Sequence, residues 1–292
     1  MNLKLSFLAG ATIALMSLVS TPATAGYSSG CTGTTSTTCV EDHSLSSNGS
    51  AVGASTTVST NSGANSFGYS SWRLNLKDTP TTGAASTFWA YCIDPLTTSQ
   101  LTTSYAAVSL GTYLNGTTSS YYAQQIGRSG YSGAGLSNSS TAQGIVLGNI
   151  QELFSHAYND SLANATNAAA FGIALWEIIM QDGGSTNPGN TFSVSTGRVR
   201  DTTGDAAALR AQQYLTALAD APTEATAWTN IGLGASAAWN YTVFYDCTSP
   251  FSQTFITVTS GTNSTVPVPG TLALVGLGLL GAARTRRARQ AA

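Results

Sequence analysis

Charged residues are scarce in this sequence. Only 8% of its 292 residues carry a charge, against roughly 25% in a typical soluble protein. The two ends contain Lys4 and a C-terminal group of arginines but no acid, which leaves the middle of the chain with 6 basic against 13 acidic residues. Nucleic-acid binding depends on clustered Lys and Arg, so this composition argues against a nucleic-acid partner. Since 42% of the residues are apolar, it also argues against an ordinary disordered chain.

Histidine and cysteine are scarce as well, which limits the chemistry of any site. The two histidines lie far apart, and no Cys-x-x-Cys pair or Cys/His cluster occurs. We therefore predict no metal, no cofactor and no catalytic triad. The lack of a repeat of fixed period weakens solenoid and propeller folds. The histidines and cysteines are His43, His156, Cys31, Cys39, Cys92 and Cys247.

Two of the four cysteines are close together in sequence. Cys31 and Cys39 enclose a short Thr/Gly-rich loop, and we predict a small disulfide ring between them in an oxidising compartment. Cys92 and Cys247 are far apart, and spacing does not decide whether they pair. Cys92 is either a buried free thiol or the partner of Cys247.

The N-terminus has the layout of a secretory signal peptide. Lys4 precedes an apolar stretch, Leu5–Val19, and the small residues Ala23 and Ala25 follow it around Thr24. A basic start, an apolar segment and a small-x-small cleavage site are the three parts that a signal peptidase substrate needs. We predict that residues 1–25 are a signal peptide, cut by the secretory signal peptidase after Ala25.

The C-terminus contains a second tripartite pattern. Pro267 and Pro269 break regular structure, an apolar segment, Gly270–Ala283, predicts a short helix, and an arginine cluster follows. The apolar segment falls short of the roughly 20 residues that cross a bilayer comfortably, and the arginines would stay cytoplasmic. This layout, over residues 266–292, resembles the PEP-CTERM sorting tail of exported proteins of Gram-negative bacteria.

The PEP-CTERM resemblance implies a route to the cell surface. In that family the tail holds the precursor in the inner membrane until an exosortase, a membrane cysteine transpeptidase, cuts near the Pro-x-Pro. The alternative is a plain C-terminal membrane anchor. The sequence departs from the family at Val268, where a glutamate is usual. The residues that carry the resemblance are Pro267, Val268, Pro269, Gly270, Arg284, Arg286 and Arg287.

The body of the chain, residues 26–265, alternates between two hydrophobic periods. Residues 26–65 are rich in Ser, Thr and Gly and are predicted to be extended or loop-like, with room for short edge strands. Period-2 patterns then predict strands, and helical periods predict helices, the second of them capped by Asn167. The predicted strands are Tyr69–Lys77, Thr87–Ile93, Tyr105–Leu110, Ala238–Tyr245 and Phe251–Val258, and the predicted helices are Ala142–Tyr158, Asn167–Gln181 and Gly204–Asp220.

Strands on both sides of a helical region predict an α+β fold. We expect an exported β-rich surface domain, an antiparallel β-sandwich or barrel, with an inserted helical subdomain from about 140 to 222. A body of this size is large enough to form one unit.

Two segments of the body resemble those of surface thioester domains. Trp89-Ala90-Tyr91-Cys92-Ile93-Asp94 is similar to their Tyr/Phe-Cys-Ile/Val-Asp strand, and Phe171–Glu177 is similar to their Gln-x-Ala-Ile-Trp helix. The resemblance implies an internal thioester between a cysteine and a glutamine, which amines attack. Gly172 occupies the glutamine position and has no side-chain carbonyl, so we expect a degenerate site with the fold kept and the chemistry lost. Its residues are Cys92, Gly172, Trp176 and Glu177.

Two function classes remain. The leading hypothesis is a non-enzymatic surface or extracellular-matrix protein, sorted by an exosortase and associated with extracellular polysaccharide, because hydroxyl-rich faces and aromatic rings suit contact with sugars. The alternative is a secreted enzyme that acts on extracellular polysaccharide. It requires two carboxylates, or a cysteine and a histidine, in one cleft.

Overall fold

A computed structural model of the protein describes residues 43–60, 65–69, 72–94, 101, 104–114, 140–180, 192–196, 199–219, 224–246 and 253–261. Several sequence predictions lie outside these residues. They are the signal peptide with Ala23 and Ala25, the Cys31–Cys39 ring, Cys247, and the sorting tail with its short apolar helix.

The described strands form a closed antiparallel barrel and a separate hairpin. Six strands close the barrel in the order β1-β4-β5-β8-β7-β6, and β2 pairs only with β3. Of the two predicted sheet architectures, the barrel is therefore the one that forms. The strands are β1 His43–Ser47, β2 Thr56–Thr60, β3 Asn65–Tyr69, β4 Arg73–Pro80, β5 Ser86–Cys92, β6 Ser104–Ser109, β7 Trp239–Asp246 and β8 Phe255–Ser260.

The prediction of a loop with edge strands before residue 65 is wrong for β1. This strand pairs with β4 along its length and with β6 at its first two residues, and so it closes the barrel. Its sequence, His-Ser-Leu-Ser-Ser, contains one large apolar residue, Leu45, which is fully buried. One inward side chain is too weak a period-2 signal to distinguish a closing strand from a polar loop.

The barrel interior is packed with aromatic rings. Phe88 of β5 stacks on Phe244 of β7 with 5.0 Å between ring centroids, and His43 of β1 meets the edge of Phe244 at 5.4 Å. None of these contacts joins hydrogen-bonded neighbours in the sheet, so the rings meet across the interior. The barrel is therefore a filled core rather than a channel.

The helices are inserted between β6 and β7, as the sequence predicts. The insertion continues past the predicted boundary at 222 to the short last helix. Among the described residues, no helix is both long enough and apolar enough to cross a membrane. The helices are α1 Leu110–Leu114, α2 Ser140–Ser161, α3 Ala165–Met180, α4 Ala206–Ala219 and α5 Glu224–Asn230.

Helix α3 is the centre of the molecule. Every residue from Ala168 to Met180 is buried, so the predicted amphipathic stripe is in fact a helix buried on all sides. It begins before Asn167, and the predicted capping role belongs to Asn164, whose Oδ1 accepts the backbone N–H of Asn167 at 2.8 Å. This exchange follows from the usual N-cap geometry, in which the side chain reaches the N–H three residues on.

Candidate functional site

Cys92 is the last residue of β5, at one end of the barrel. Asp94-Pro95 follows the strand, because proline cannot continue the ladder. The sulfur donates to the Asp94 carbonyl oxygen at 3.1 Å and accepts the Asp94 backbone N–H at 3.3 Å. Cys92 is a free thiol with 3% of its surface exposed. The turn after β5 therefore encloses the sulfur.

A glutamine lies at the same turn, next to the neighbouring strand. Gln253 precedes β8, whose first residue, Phe255, lies directly opposite Cys92. The Gln253 Nε2 donates to the Asp94 carbonyl oxygen at 3.2 Å, and the Cys92 sulfur donates to the same oxygen at 3.1 Å. Gln253 is also buried. The site thus holds a thiol and a carboxamide on one carbonyl oxygen, in a buried place.

Gln253 was not predicted as a site residue. It falls in the predicted strand Phe251–Val258, but the pairing of that strand with β5 was not predicted. The only local signal is a glutamine directly before a strand, and that signal becomes specific once β8 is known to pair with β5. The absence of a glutamine at position 172, the expected counterpart of Cys92, therefore does not exclude a glutamine near the sulfur, because Gln253 lies there.

The electrostatic environment keeps the Cys92 thiol protonated. Burial raises the pKa of Cys92 well above its ordinary value, and the charge of Asp94 raises it further. Hydrogen bonds from Asp94, Trp176 and Gln253 act in the opposite direction but do not offset the burial. Because the thiolate is the reactive nucleophile, Cys92 reacts slowly with external reagents as long as this environment is intact.

Helix α3 holds the strand that carries the thiol. The Trp176 indole Nε1 donates to the Cys92 carbonyl oxygen at 2.8 Å. One turn earlier, Gly172 faces Trp72 so closely that an added Cβ would overlap the ring. The structure therefore places Trp176 at the site, whereas Gly172 provides room for Trp72.

Three aromatic side chains cover this region. The ring of Tyr69, in the β2–β3 hairpin, lies 4.5 Å from Trp72 and 5.1 Å from Trp176, and the two tryptophans are 4.6 Å apart. Burial raises the pKa of Tyr69, and the charge of Cys92 raises it further. Tyr69 packs against Trp176, whose indole N–H donates to the Cys92 carbonyl.

Glu177 points away from Cys92. Its carboxylate accepts backbone N–H groups of Ser193 and Val199, and burial raises its pKa from 4.5 to about 8. Its Oε2 has no hydrogen-bond partner among the described residues. Glu177 is therefore a buried acid that holds the segment after α3, and its hydrogen bonds go to that segment rather than to Cys92.

Both histidines contact side chains of the fold. His43 Nδ1 lies 2.8 Å from Asp78 Oδ2 in the barrel. His156 lies 3.1 Å from Glu152 and 3.0 Å from the Leu233 carbonyl, and its ring stacks on Trp228. In the described part of the chain, no group of three or more His, Cys, Asp or Glu side chains could hold a metal ion.

The family comparison concerns the C-terminus. Residues 265–287 match the model of the PEP-CTERM protein-sorting motif. The chain carries a PEP-CTERM sorting motif. The match confirms the predicted sorting tail, and it supports sorting to the cell surface by the exosortase system, in which the exosortase is a membrane transpeptidase. No curated protein and no solved structure matches the chain.

Proposed function

We propose that this protein is a non-enzymatic component of the cell surface or its polysaccharide matrix, and that it attaches covalently to an amine through an internal thioester between Cys92 and Gln253. One observation carries the attachment: the Gln253 carboxamide and the buried Cys92 sulfur donate to the same Asp94 carbonyl oxygen. The sorting motif supports delivery of this site to the outside of the cell.

The proposed chemistry uses only groups present at the site. The Cys92 sulfur attacks the Gln253 side-chain carbonyl carbon, and the carbon–nitrogen bond breaks. The amide nitrogen leaves as ammonia and takes the thiol proton with it. A primary amine of the partner then attacks the thioester carbonyl, which forms an amide with Gln253 and returns Cys92 to a thiol. The shared hydrogen bonds to the Asp94 carbonyl hold the two side chains close together, which favours such a reaction.

The surroundings of Cys92 protect a thioester once it has formed. A thioester carries no charge, so it can be buried without the penalty that burial imposes on a thiolate. The same burial excludes the water that would hydrolyse it. The hydrogen bond from Trp176 to the Cys92 carbonyl fixes the strand beneath the sulfur.

Exposed hydroxyl side chains on the outside of the barrel support the association with polysaccharide. Ser44, Ser46 and Ser47 are exposed on β1, as are Ser86 and Thr87 on β5. Hydroxyl groups both donate and accept hydrogen bonds, as sugar hydroxyls do. A polysaccharide that contains amino sugars would offer both these contacts and an amine.

Intact mass of the protein purified from its producing cells tests the thioester. We expect wild type to be lighter than its sequence by one ammonia, and to gain one methylamine at Gln253 after incubation with that amine. Gln253→Glu and Cys92→Ser should show neither change, and Gln212→Glu, which alters a glutamine on α4, should behave as wild type. Full sequence mass with an alkylatable Cys92 in freshly unfolded wild type would overturn the thioester.

Binding to the purified polysaccharide of the producing cell tests the association separately. We expect Cys92→Ser to bind reversibly and wild type to retain a fraction that survives denaturant. If neither form binds any polysaccharide fraction, the polysaccharide association is wrong, although a covalent bond to a protein amine would still show the thioester.

A further inference from the structure

Trp89 differs from the other tryptophans of the chain in its surroundings. The other four are Trp72, Trp176, Trp228 and Trp239. Their indole N–H groups donate to acceptors in the fold, and their rings belong to the hydrophobic core or pack against it. Trp89 is half-buried and lies outside that core, and its N–H has no acceptor among the described residues. A ring and a hydrogen-bond donor are therefore both available to a ligand.

Trp89 faces the outside of the barrel. Its neighbour Phe88 points inward and stacks on Phe244, and successive side chains of a strand point to opposite faces of the sheet. Helix α3 covers this outer face at Tyr91, whose ring lies 4.6 Å from Phe171, whereas the first two residues of β5 are exposed. Trp89 thus lies at the border between the covered and the exposed part of the face.

Polar side chains lie beside Trp89 on the same face. Asn75 of β4 is its direct partner in the sheet, and Asn48, which follows β1, donates from Nδ2 to Asn75 Oδ1 at 3.2 Å. The next outward row across β1, β4 and β5 consists of three paired and exposed residues, Ser46, Lys77 and Thr87. Paired residues on one face of a sheet lie close enough to touch. These five residues and Trp89 therefore form one patch, which we name the Trp89 face.

The charge at the Trp89 face is positive. Lys77 is exposed on it, and the guanidinium of Arg73 lies 4.6 Å from the Trp89 ring centroid without an ion-pair partner in the described part of the chain. The one acid of β4, Asp78, points into the barrel, where it contacts His43, and the sequences of β1 and β5 contain no acid. The middle of the chain has 6 basic against 13 acidic residues. A positive face on such a chain favours an anionic ligand.

We propose that the Trp89 face binds an acidic polysaccharide, with a pyranose ring stacked on Trp89 and the carboxylate of a uronic acid paired with Lys77. The apolar side of a sugar ring packs on an aromatic ring, and its hydroxyls pair with amide and hydroxyl side chains such as those of Asn48 and Thr87. Arg73 holds the Trp89 ring from one side. This site rests on the polysaccharide association proposed above and does not depend on the thioester.

Equilibrium binding to alginate, a polymer of uronic acids, tests the site, with dextran as the neutral polymer. We expect wild type to bind alginate about tenfold or more tightly than dextran, and added salt to weaken the binding to alginate. Trp89→Ala should lower the affinity for alginate about tenfold or more, because a central aromatic contact is lost. Lys77→Gln should lower it about threefold and reduce its dependence on salt.

Leu209→Ala is the matched control. It removes an apolar side chain that is 62% exposed on α4, away from the Trp89 face, and it should bind alginate as wild type does. Because Trp89 lies outside the core, we expect Trp89→Ala to keep the denaturation midpoint of wild type.

The outcomes separate this site from the proposed function. If wild type binds alginate and both Trp89→Ala and Lys77→Gln bind it equally well, the site is wrong and the polysaccharide association stands. Equal affinity for dextran and alginate would overturn the acidic ligand. Binding to neither polymer would also overturn the site, whereas the association is then decided by the polysaccharide of the producing cell.

Discussion

At the scale of single residues, Glu177 is an ionisable side chain in a buried environment that does not solvate a charge. Glu177 has 3% of its surface exposed, and the backbone N–H groups of Ser193 and Val199 bond its carboxyl group. Burial outweighs both hydrogen bonds and raises the pKa to about 8. The protonated form is therefore the stable one in the folded protein at neutral pH.

This raised pKa predicts a pH dependence of stability. The unfolded chain ionises near 4.5 and the folded chain near 8. The contribution of Glu177 to the free energy of unfolding is thus fully present below about pH 4.5 and is lost as the pH rises to about 8. Glu177→Gln keeps the shape of the neutral carboxyl and cannot ionise, so we expect it to remove roughly 2–4 kcal/mol of this decline.

Urea unfolding of both proteins between pH 4 and pH 9 measures the difference. Wild type should lose stability relative to Glu177→Gln across that range, and the variant should be the more stable protein at the alkaline end. Parallel curves would show that Glu177 ionises in the folded protein as it does in water.

At the scale of elements, the position of α3 against the barrel depends on one close approach. Gly172 meets the ring of Trp72, which donates from Nε1 to the Ala54 carbonyl at 3.1 Å. A glycine within a helix costs roughly 0.5–1 kcal/mol relative to alanine. Here it lets the helix approach the start of β4, and it thereby brings Trp176 within hydrogen-bonding distance of the Cys92 carbonyl.

We expect Gly172→Ala to lower the free energy of unfolding by about 1–3 kcal/mol, because the new methyl group forces Trp72 out of its packed position. Gly148→Ala is the control, since nothing lies within 4 Å of a Cβ added there in α2. It should stabilise the protein by about 0.5–1 kcal/mol through helix propensity. Chemical denaturation measures both, and a stabilised Gly172→Ala would contradict the close approach.

At the scale of the whole molecule, delivery and fold are encoded in separate parts of the chain. The sorting motif occupies residues 265–287, whereas the last described residue of the barrel region is Gly261. A sorting signal outside the barrel can be removed without cutting a barrel strand. Localisation and folding can therefore be tested independently.

Deleting residues 266–292 should abolish exosortase-dependent delivery to the cell surface while the body still folds. Replacing Arg284, Arg286 and Arg287 by alanine should have the same effect by removing the basic end of the motif. Val268→Glu, which introduces the usual family residue, should leave delivery intact. Cell fractionation with immunodetection provides the measurement, and equal surface delivery by truncated and full-length protein would contradict the role of the tail.

Much of the fold was predictable from local patterns. The strand over Thr87–Ile93 and the helix over Asn167–Gln181 appear within a few residues of their predicted bounds, because hydrophobic period is a property of consecutive residues. The closing strand β1 was not predictable in this way. Its single apolar side chain acquires meaning only between β4 and β6, its partners in the barrel.

The sequence by itself determined the cellular destination of the protein and which segments form strands or helices. Both are written in contiguous residues, such as the Pro-x-Pro, apolar segment and arginines of the sorting motif. Only the tertiary structure decided what surrounds Cys92. Gln253 and the Cys92 sulfur bond the same carbonyl oxygen because β8 pairs with β5, and Trp176 reaches the Cys92 carbonyl because α3 packs against the barrel. Such neighbours depend on which distant strands pair, and that choice is made by the packing of the whole barrel.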